Sequence, residues 1–268
     1  MSSLSYALAD GAVVAKRNLI KIKRVPEVLV FVLISPIMFV LLFAYVFGAS
    51  IEIPGVNYRE YLIAGIFAQT VVFGATFTGA GLAEDMQKGI IDRFRSLPMS
   101  RSAVLIGRTA SDVVYNVLSI AIMALTGLLV GWRIRGSIMD AVVGFGLLLL
   151  FAYALSWVMG FIGLIVPSVE VINNASFLVI MPLTFISNAF IDTSGLPTPL
   201  RVFAEWNPVS AVTMAARNLF GNTGNGAFQV PDVWPMQNPV LYTLLWIVLI
   251  LVVFVPLSVR QYKRSTTK

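Results

Sequence analysis

Residues able to do chemistry are scarce in this chain, and the missing types narrow the choices. None of the 268 residues is His and none is Cys. The commonest general base, the commonest metal ligand and all thiol or disulfide chemistry are therefore absent. No GxxxxGK[ST], HExxH or GxSxG run occurs, so the sequence offers no ATP-binding P-loop, no metal centre and no serine-hydrolase constellation. What remains is Asp112, with Arg108 one turn before it and Asn116 one turn after. A carboxylate within an apolar run is costly and marks function by default. Arg108 at i−4 offers it a plain ion pair near the end of that run, so a structural and a transport role both stand. Gln69, Thr76, Asn173, Asn174 and Asn188 are the other polar residues that could line a path through lipid; close packing of helices is the alternative use of such residues.

A second constellation is the polar stretch Glu84 to Arg101, EDMQKGIIDRFRSLPMSR. It opens with two acids, carries four bases, and places Ile90, Ile91, Phe94 and Leu97 at helical spacing before Pro98. A short helix with an apolar and a basic face suits docking: Ile90, Phe94 and Leu97 would fill a groove, while Arg93, Arg95 and Arg101 pair with acids on a partner. The alternative is a solvated loop whose bases only set orientation, which leaves Ile90, Ile91 and Phe94 exposed at a cost.

The elements that position these residues are membrane spans. The chain is 58% hydrophobic and 12% charged, with a mean hydropathy of +0.86, against about 25% charged residues in a soluble domain. About 20 apolar residues cross the hydrocarbon core. Six runs qualify: roughly Pro26 to Gly48, Tyr61 to Ala83, Ala103 to Trp132, Met139 to Val166, Val171 to Ile191 and Pro239 to Val259. Pro36 should kink the first, and Pro182 with its neighbouring asparagines invites a broken fifth. Gly127 and Gly131 form a GxxxG, and Ser156 and Gly160 a small-xxx-small pair. Residues 4–24 predict an amphipathic helix lying in the interface, with Leu4, Leu8, Ala12, Ala15, Leu19 and Ile22 on one face and Asp10, Arg17, Lys21 and Arg24 opposite. Residues 192–238 predict two short apolar helices divided at Asn207-Pro208, re-entrant or surface-lying. The expectation is an all-α membrane protein forming a single transmembrane domain over residues 1–268.

Charge sets the orientation. Of the 19 bases, five lie at Lys16 to Arg24, five at Lys88 to Arg108 and four at Arg260 to Lys268, all on one side of a six-span chain. Arg59, Arg133, Arg135, Arg201 and Arg217 fall on the other. The richer side should be cytoplasmic, with both termini. This bias accounts for the net charge of +6 without nucleic acid.

The segment Glu84–Arg101, with its acidic pair, Gly89, short helix, Leu97-Pro98, Ser100-Arg101 and the Gly107-Arg108 that follows, resembles the corresponding segment in permeases of type-2 ABC exporters. The basic N-terminal helix, Asn207-Pro208 and the overall length fit the same family. The chain looks most similar to its daunorubicin/doxorubicin-resistance branch. The resemblance implies a subunit without its own ATPase site, moving a drug or lipid across the bacterial plasma membrane. Separate P-loop ATPase subunits would bind ATP and Mg, and a second permease chain, the same or related, would complete the path among the lipids. The coupling role would fall on Glu84, Asp85, Gly89, Ile90, Phe94, Arg95, Leu97 and Pro98, and the path on Gln69, Thr76, Asn173, Asn174 and Asn188. A lipid-linked polysaccharide exporter and an ion-coupled carrier are the alternatives. A tag inserted at Asn225 is expected to react with an impermeant reagent from outside intact cells and a tag at Arg95 is not; the reverse labelling overturns this topology.

Overall fold

The computed structural model describes residues 10–18, 20, 34, 37–47, 55–95, 103–166, 168–224 and 230–264. Leu4, Leu8, Leu19, Pro26 to Pro36 without Ile34, Leu97 and Pro98 lie outside them. The described chain is helical throughout: α1 (residues 10–18), α2 (Ile37–Val46, its end π-wound over Leu42–Phe47), α3 (Tyr58–Gly74), α4 (Thr76–Gln87), α5 (Ile90–Arg95), α6 (Ala103–Val130), α7 (Ile138–Gly163), α8 (Val169–Phe185), α9 (Thr198–Trp206), α10 (Pro208–Phe220), α11 (Trp234–Gln237) and α12 (Pro239–Arg264).

Four helices are long and apolar enough to cross a membrane: Tyr58–Gln87, Val104–Val130, Ile138–Gly163 and Pro239–Tyr262. The shortest has 24 residues, about 36 Å at 1.5 Å per residue, against a hydrocarbon core of about 30 Å. Two shorter apolar helices, α2 and α8, fall where the first and fifth spans were expected. Helix α7 is the hub and packs on α12, α4, α10, α6 and α3. Its start is fixed by a capping box between Ser137 and Asp140. Helix α3 is enclosed almost all round, whereas α12 turns Leu241, Leu245, Val248, Leu249 and Val252 outward and α6 turns out Val114, Val117, Leu125 and Leu129. Exposed leucines and valines on span-length helices are lipid-facing surface.

Several expectations are corrected. The second span is found over Tyr58–Gln87, with a turn at Ala75 that was not expected, where Thr78 N donates to Ala75 O and the Thr76 hydroxyl donates to the Phe73 carbonyl. The fifth span does not run to Ile191. It stops at Phe185, because Pro182 brings no N–H to the last turn and side chains from elsewhere take over the backbone groups that follow. Gly127 and Gly131 are not a paired packing motif. Gly127 packs on Ile63 and Trp132, while Gly131 has φ +103 and ends α6. In α1 the residues turned to the protein are Gly11, Val14 and Asn18; Ala12 and Val13 face outward. The two short helices divide as expected at Asn207-Pro208, and their surroundings differ. Helix α10 is enclosed by α3, α7 and α12, and α9 buries only Ala204.

Arg133 and Arg135, which offend the charge count, are both used locally. Arg133 Nη1 donates to the Leu128 and Trp132 carbonyls at the end of α6. Arg135 forms two-pronged bonds to Glu60, the shortest 2.7 Å. A base on terminal helix carbonyls, or paired with a buried acid, is held by those partners and not by the orientation bias.

Helices α4 and α7 cross backbone to backbone. A Cβ at Gly163 would lie 2.5 Å from the Gly79 carbonyl oxygen, whereas Gly146 on the same helix has open space around it. Gly163→Val is expected to cost about 1–3 kcal/mol by overpacking and to lower the thermal unfolding midpoint in detergent. Gly146→Val should leave it unchanged, and equal midpoints would refute the close crossing.

Candidate functional site

One end of the bundle gathers the bases and holds the expected docking segment. Helix α4 ends at Gln87, Gly89 at φ +63 turns the chain, and α5 begins at Ile90. A left-handed φ is free of steric cost only for glycine, so Gly89 sets the angle between α4 and α5. Ile91 plugs into an apolar cluster with Leu82, Val104, Leu105, Trp157, Leu164 and Tyr262, which brings the C-terminal end of α12 to the same place. Ile90 is half-buried and Arg93 exposed. Phe94 and Arg95 belong to α5, and their side chains lie outside the described residues. On the surface, Glu84 accepts from Lys88 at 2.6 Å, and this hydrogen bond and charge hold the lysine above its usual range.

Asp85 points the other way. It is 5% exposed, and Arg17 Nη2 donates to both of its carboxylate oxygens at 2.8 and 2.9 Å. Asn18 Nδ2 donates to Ser111 Oγ at 3.2 Å. Gly107 lets α1 approach so closely that any side chain there would collide with Gly11 and Val14. The N-terminal helix is thereby tied to α4 by an ion pair and to α6 by a hydrogen bond and a glycine contact.

A polar seam continues inward along α6. Arg108, Asp112, Asn116 and Ser119 recur at steps of four and three and share a face. Arg108 Nη2 donates to the Phe77 carbonyl, and its Nε lies 3.6 Å from Asp112 Oδ1. The Thr78 hydroxyl donates to Asp112 Oδ2 at 2.5 Å. Asn116 Nδ2 donates to the Asp112 carbonyl at 2.8 Å, while its Oδ1 rests against Gly74. Gly81 leaves the room that the Arg108 guanidinium fills. Asp112, 6% exposed, thus ties α4 to α6 with the i−4 partner expected, plus a hydroxyl from α4.

The five candidate path residues are not brought together within this chain. Gln69 is enclosed in α3, and the Thr76 hydroxyl is spent on its own helix. Asn173 and Asn174 open outward on α8 beside Phe177 and Leu178. Asn188 is buried in the non-helical segment after α8 and donates to Met236 Sδ at 3.6 Å.

That segment is served by side chains. The Leu183 and Ile186 carbonyls accept from Asn207 Nδ2 at 2.6 and 3.0 Å. Asn188 N donates to Ser210 Oγ. The carbonyls of Asn188 and Ala189 accept from Arg217 Nη2 at 2.6 and 3.0 Å. Phe190 O accepts from the Tyr58 hydroxyl at 3.2 Å, and the Tyr61 hydroxyl lies 2.9 Å from both Asn188 O and Ile191 O. Arg217 Nε also reaches Tyr61 O at 3.0 Å, and the guanidinium lies 3.3 Å from the Tyr61 ring centroid. Arg217 is fully buried; counting it with the outer bases missed this role. The available signal was an arginine set among the small and apolar residues of a well-capped helix.

Comparison with known proteins agrees with this architecture. The profile of the ABC-2 type transporter family matches residues 11–220. The chain is 30% identical to the daunorubicin resistance ABC transporter permease protein DrrB1 of Streptomyces coeruleorubidus over 249 residues, 93% of this chain and 84% of that one. It is 22% identical to the probable doxorubicin resistance ABC transporter permease protein DrrC of Mycobacterium tuberculosis over 88% of this chain and 81% of that one. A putative transport permease, ycf38, of Cyanophora paradoxa is 23% identical over 81% and 76%. With its helical bundle, its apolar spans and a family profile that runs from α1 to the end of α10, this chain belongs to the ABC-2 type transporter family.

Proposed function

We propose that this chain is the permease subunit of an ATP-driven exporter of a hydrophobic or amphipathic molecule. It would act with separate P-loop ATPase subunits and a second permease chain in the bacterial plasma membrane, its basic end cytoplasmic. The observation that carries the reading is the build of α5. One residue, Ile91, anchors it in the apolar cluster, while on the same short helix Ile90 is half-buried and Arg93 is exposed. A helix anchored on one side and presenting apolar and basic groups on the other is suited to receive a push from a docked partner.

Force entering at α5 has several ways onward, one of them directly through the Ile91 cluster to α6, α7 and α12. Through Gly89 it reaches α4, and from there the Arg17–Asp85 pair leads to α1 and the Arg108–Asp112–Thr78 contacts lead to α6. Asp85 would serve coupling from within, by holding α1, and Glu84 from the surface. ATP and its magnesium ion would be held by the partner subunits, since this sequence has no phosphate-cradling motif. The names of two relatives, resistance permeases for daunorubicin and doxorubicin, support a planar amphipathic drug as the first substrate to try. The outward face of α8, with Asn173 and Asn174, is where a second chain would complete the path.

The test is purification of the tagged chain in mild detergent with mass spectrometry of what accompanies it. A P-loop ATPase in near-equal amount is expected. Ile90→Asp and Phe94→Asp are expected to leave the chain in the membrane and to reduce recovery of that ATPase at least about tenfold, the loss of one good anchor. Undiminished recovery with both variants would sink the docking role of α5.

A further inference from the structure

Four successive backbone carbonyls, those of Asn188, Ala189, Phe190 and Ile191, are all held by only three side chains, Tyr58, Tyr61 and Arg217. The tyrosines stand one turn apart on α3 and the arginine comes from α10. No carboxylate lies within ion-pairing distance of Arg217 among the described residues. Its charge is instead solvated by three carbonyl oxygens and the face of the Tyr61 ring. A buried cation is expensive in an apolar environment, and neutral donors could have served two carbonyls at lower cost. What the guanidinium adds is a rigid planar fork whose bonds are charge-assisted.

The body of α8 packs on α4, with Ile172 in a cluster with Ala75, Ala83 and Met159, and the clamp holds the segment beyond its end. Helix α8 turns Val171, Asn173, Asn174, Phe177, Leu178 and Val179 away from the bundle. Beyond Phe185 it has no helical ladder to stiffen it. Gly65 allows the Ala189 backbone to rest directly on α3, where any side chain would overlap it.

The geometry points to Arg217, with Tyr58 and Tyr61, as a positioning clamp that fixes the segment after α8 to α3 so that this segment and α3 move as one body during transport. The claim rests on the exporter reading for its function, though not for its existence. Arg217 is a positioning residue: it reaches α8 only through backbone carbonyls.

Because the native chain has no cysteine, a single Thr193→Cys reports without background. Thr193 is 3% exposed and stands two residues past the clamped carbonyls. Its labelling by N-ethylmaleimide is measured in the purified complex, with and without ATP and vanadate. In the otherwise native chain, slow labelling that changes with nucleotide is expected. Arg217→Lys keeps the charge but loses the fork, and labelling is expected to become about tenfold faster, the scale of one lost buried hydrogen bond, and indifferent to nucleotide. Tyr58→Phe, which removes one hydroxyl and no volume of consequence, should give a smaller rise with ATPase association intact. It keeps the test valid if Arg217→Lys fails to fold. Native labelling and nucleotide response in both Arg217→Lys and Tyr58→Phe would overturn the clamp. Faster labelling with an unaltered nucleotide response would also overturn it, because the α8 end would then be loosened without consequence for motion. If the native chain brings no ATPase with it, the exporter reading fails on that result alone, and the labelling rates without nucleotide still decide whether the clamp exists.

Discussion

Backbone N–H and C=O groups removed from water must find partners inside the protein, and this constraint governs the whole chain. Helices meet it from within, which is why almost every described residue is helical. The stretch after Phe185 cannot, because Pro182 brings no donor and the chain turns away from the helix axis. It is met there by Asn207, Ser210, Tyr58, Tyr61 and Arg217. Those five side chains explain much else. They join α10 and α3 to the segment after α8, whose Ala189 backbone requires a glycine at position 65, and they account for a buried cation.

Charge follows the same logic. Every buried acid described in detail has a specific partner: Asp85 has Arg17, Asp112 has Arg108 and Thr78, and Glu60 has Arg135. Such pairs contribute little net stability, since desolvation offsets most of the attraction. Their value is geometric, because each joins helices whose apolar surfaces would slide over one another at little cost. In lipid, packing alone is weakly directional, so ion pairs and glycine crossings fix the register.

The parts legible in the sequence were those set by local chemistry. Asn207-Pro208 marks the start of α10 by side-chain capping and a proline at its first position, and Gly221 ends it in a left-handed conformation. Arg108 and Asp112 are a turn apart, so their pairing could be read from spacing. What could not be read depends on partners far along the chain. Asp85 and Arg17 are 68 residues apart, and Arg217 and Tyr61 are 156 apart. Asp85 therefore stood only as the second acid of the Glu84-Asp85 pair, with its bond to α1 unseen, and Arg217 as one more outer base. Apolar periodicity was equally blind in α1 and α8. A helix between protein and lipid is apolar on both sides, so the pattern does not say which side meets protein.

The interruption at Ala75 acquires meaning from what lies on either side of it. Helix α4 is joined to α1, α5 and α6 through Asp85, Gly89 and the Asp112 contacts. Helix α3 is joined to α10 and the end of α8 through Tyr58, Tyr61 and the Arg217 fork. These two systems of ties are also linked directly: α6 packs on α3, where Gly127 meets Ile63, α4 packs on α8, and α7 packs on both α3 and α4. The two halves of the Tyr58–Gln87 helix are thus tied by polar groups to different partners, with the Ala75 turn at their junction, while apolar packing of α6, α7 and α8 joins the two sets.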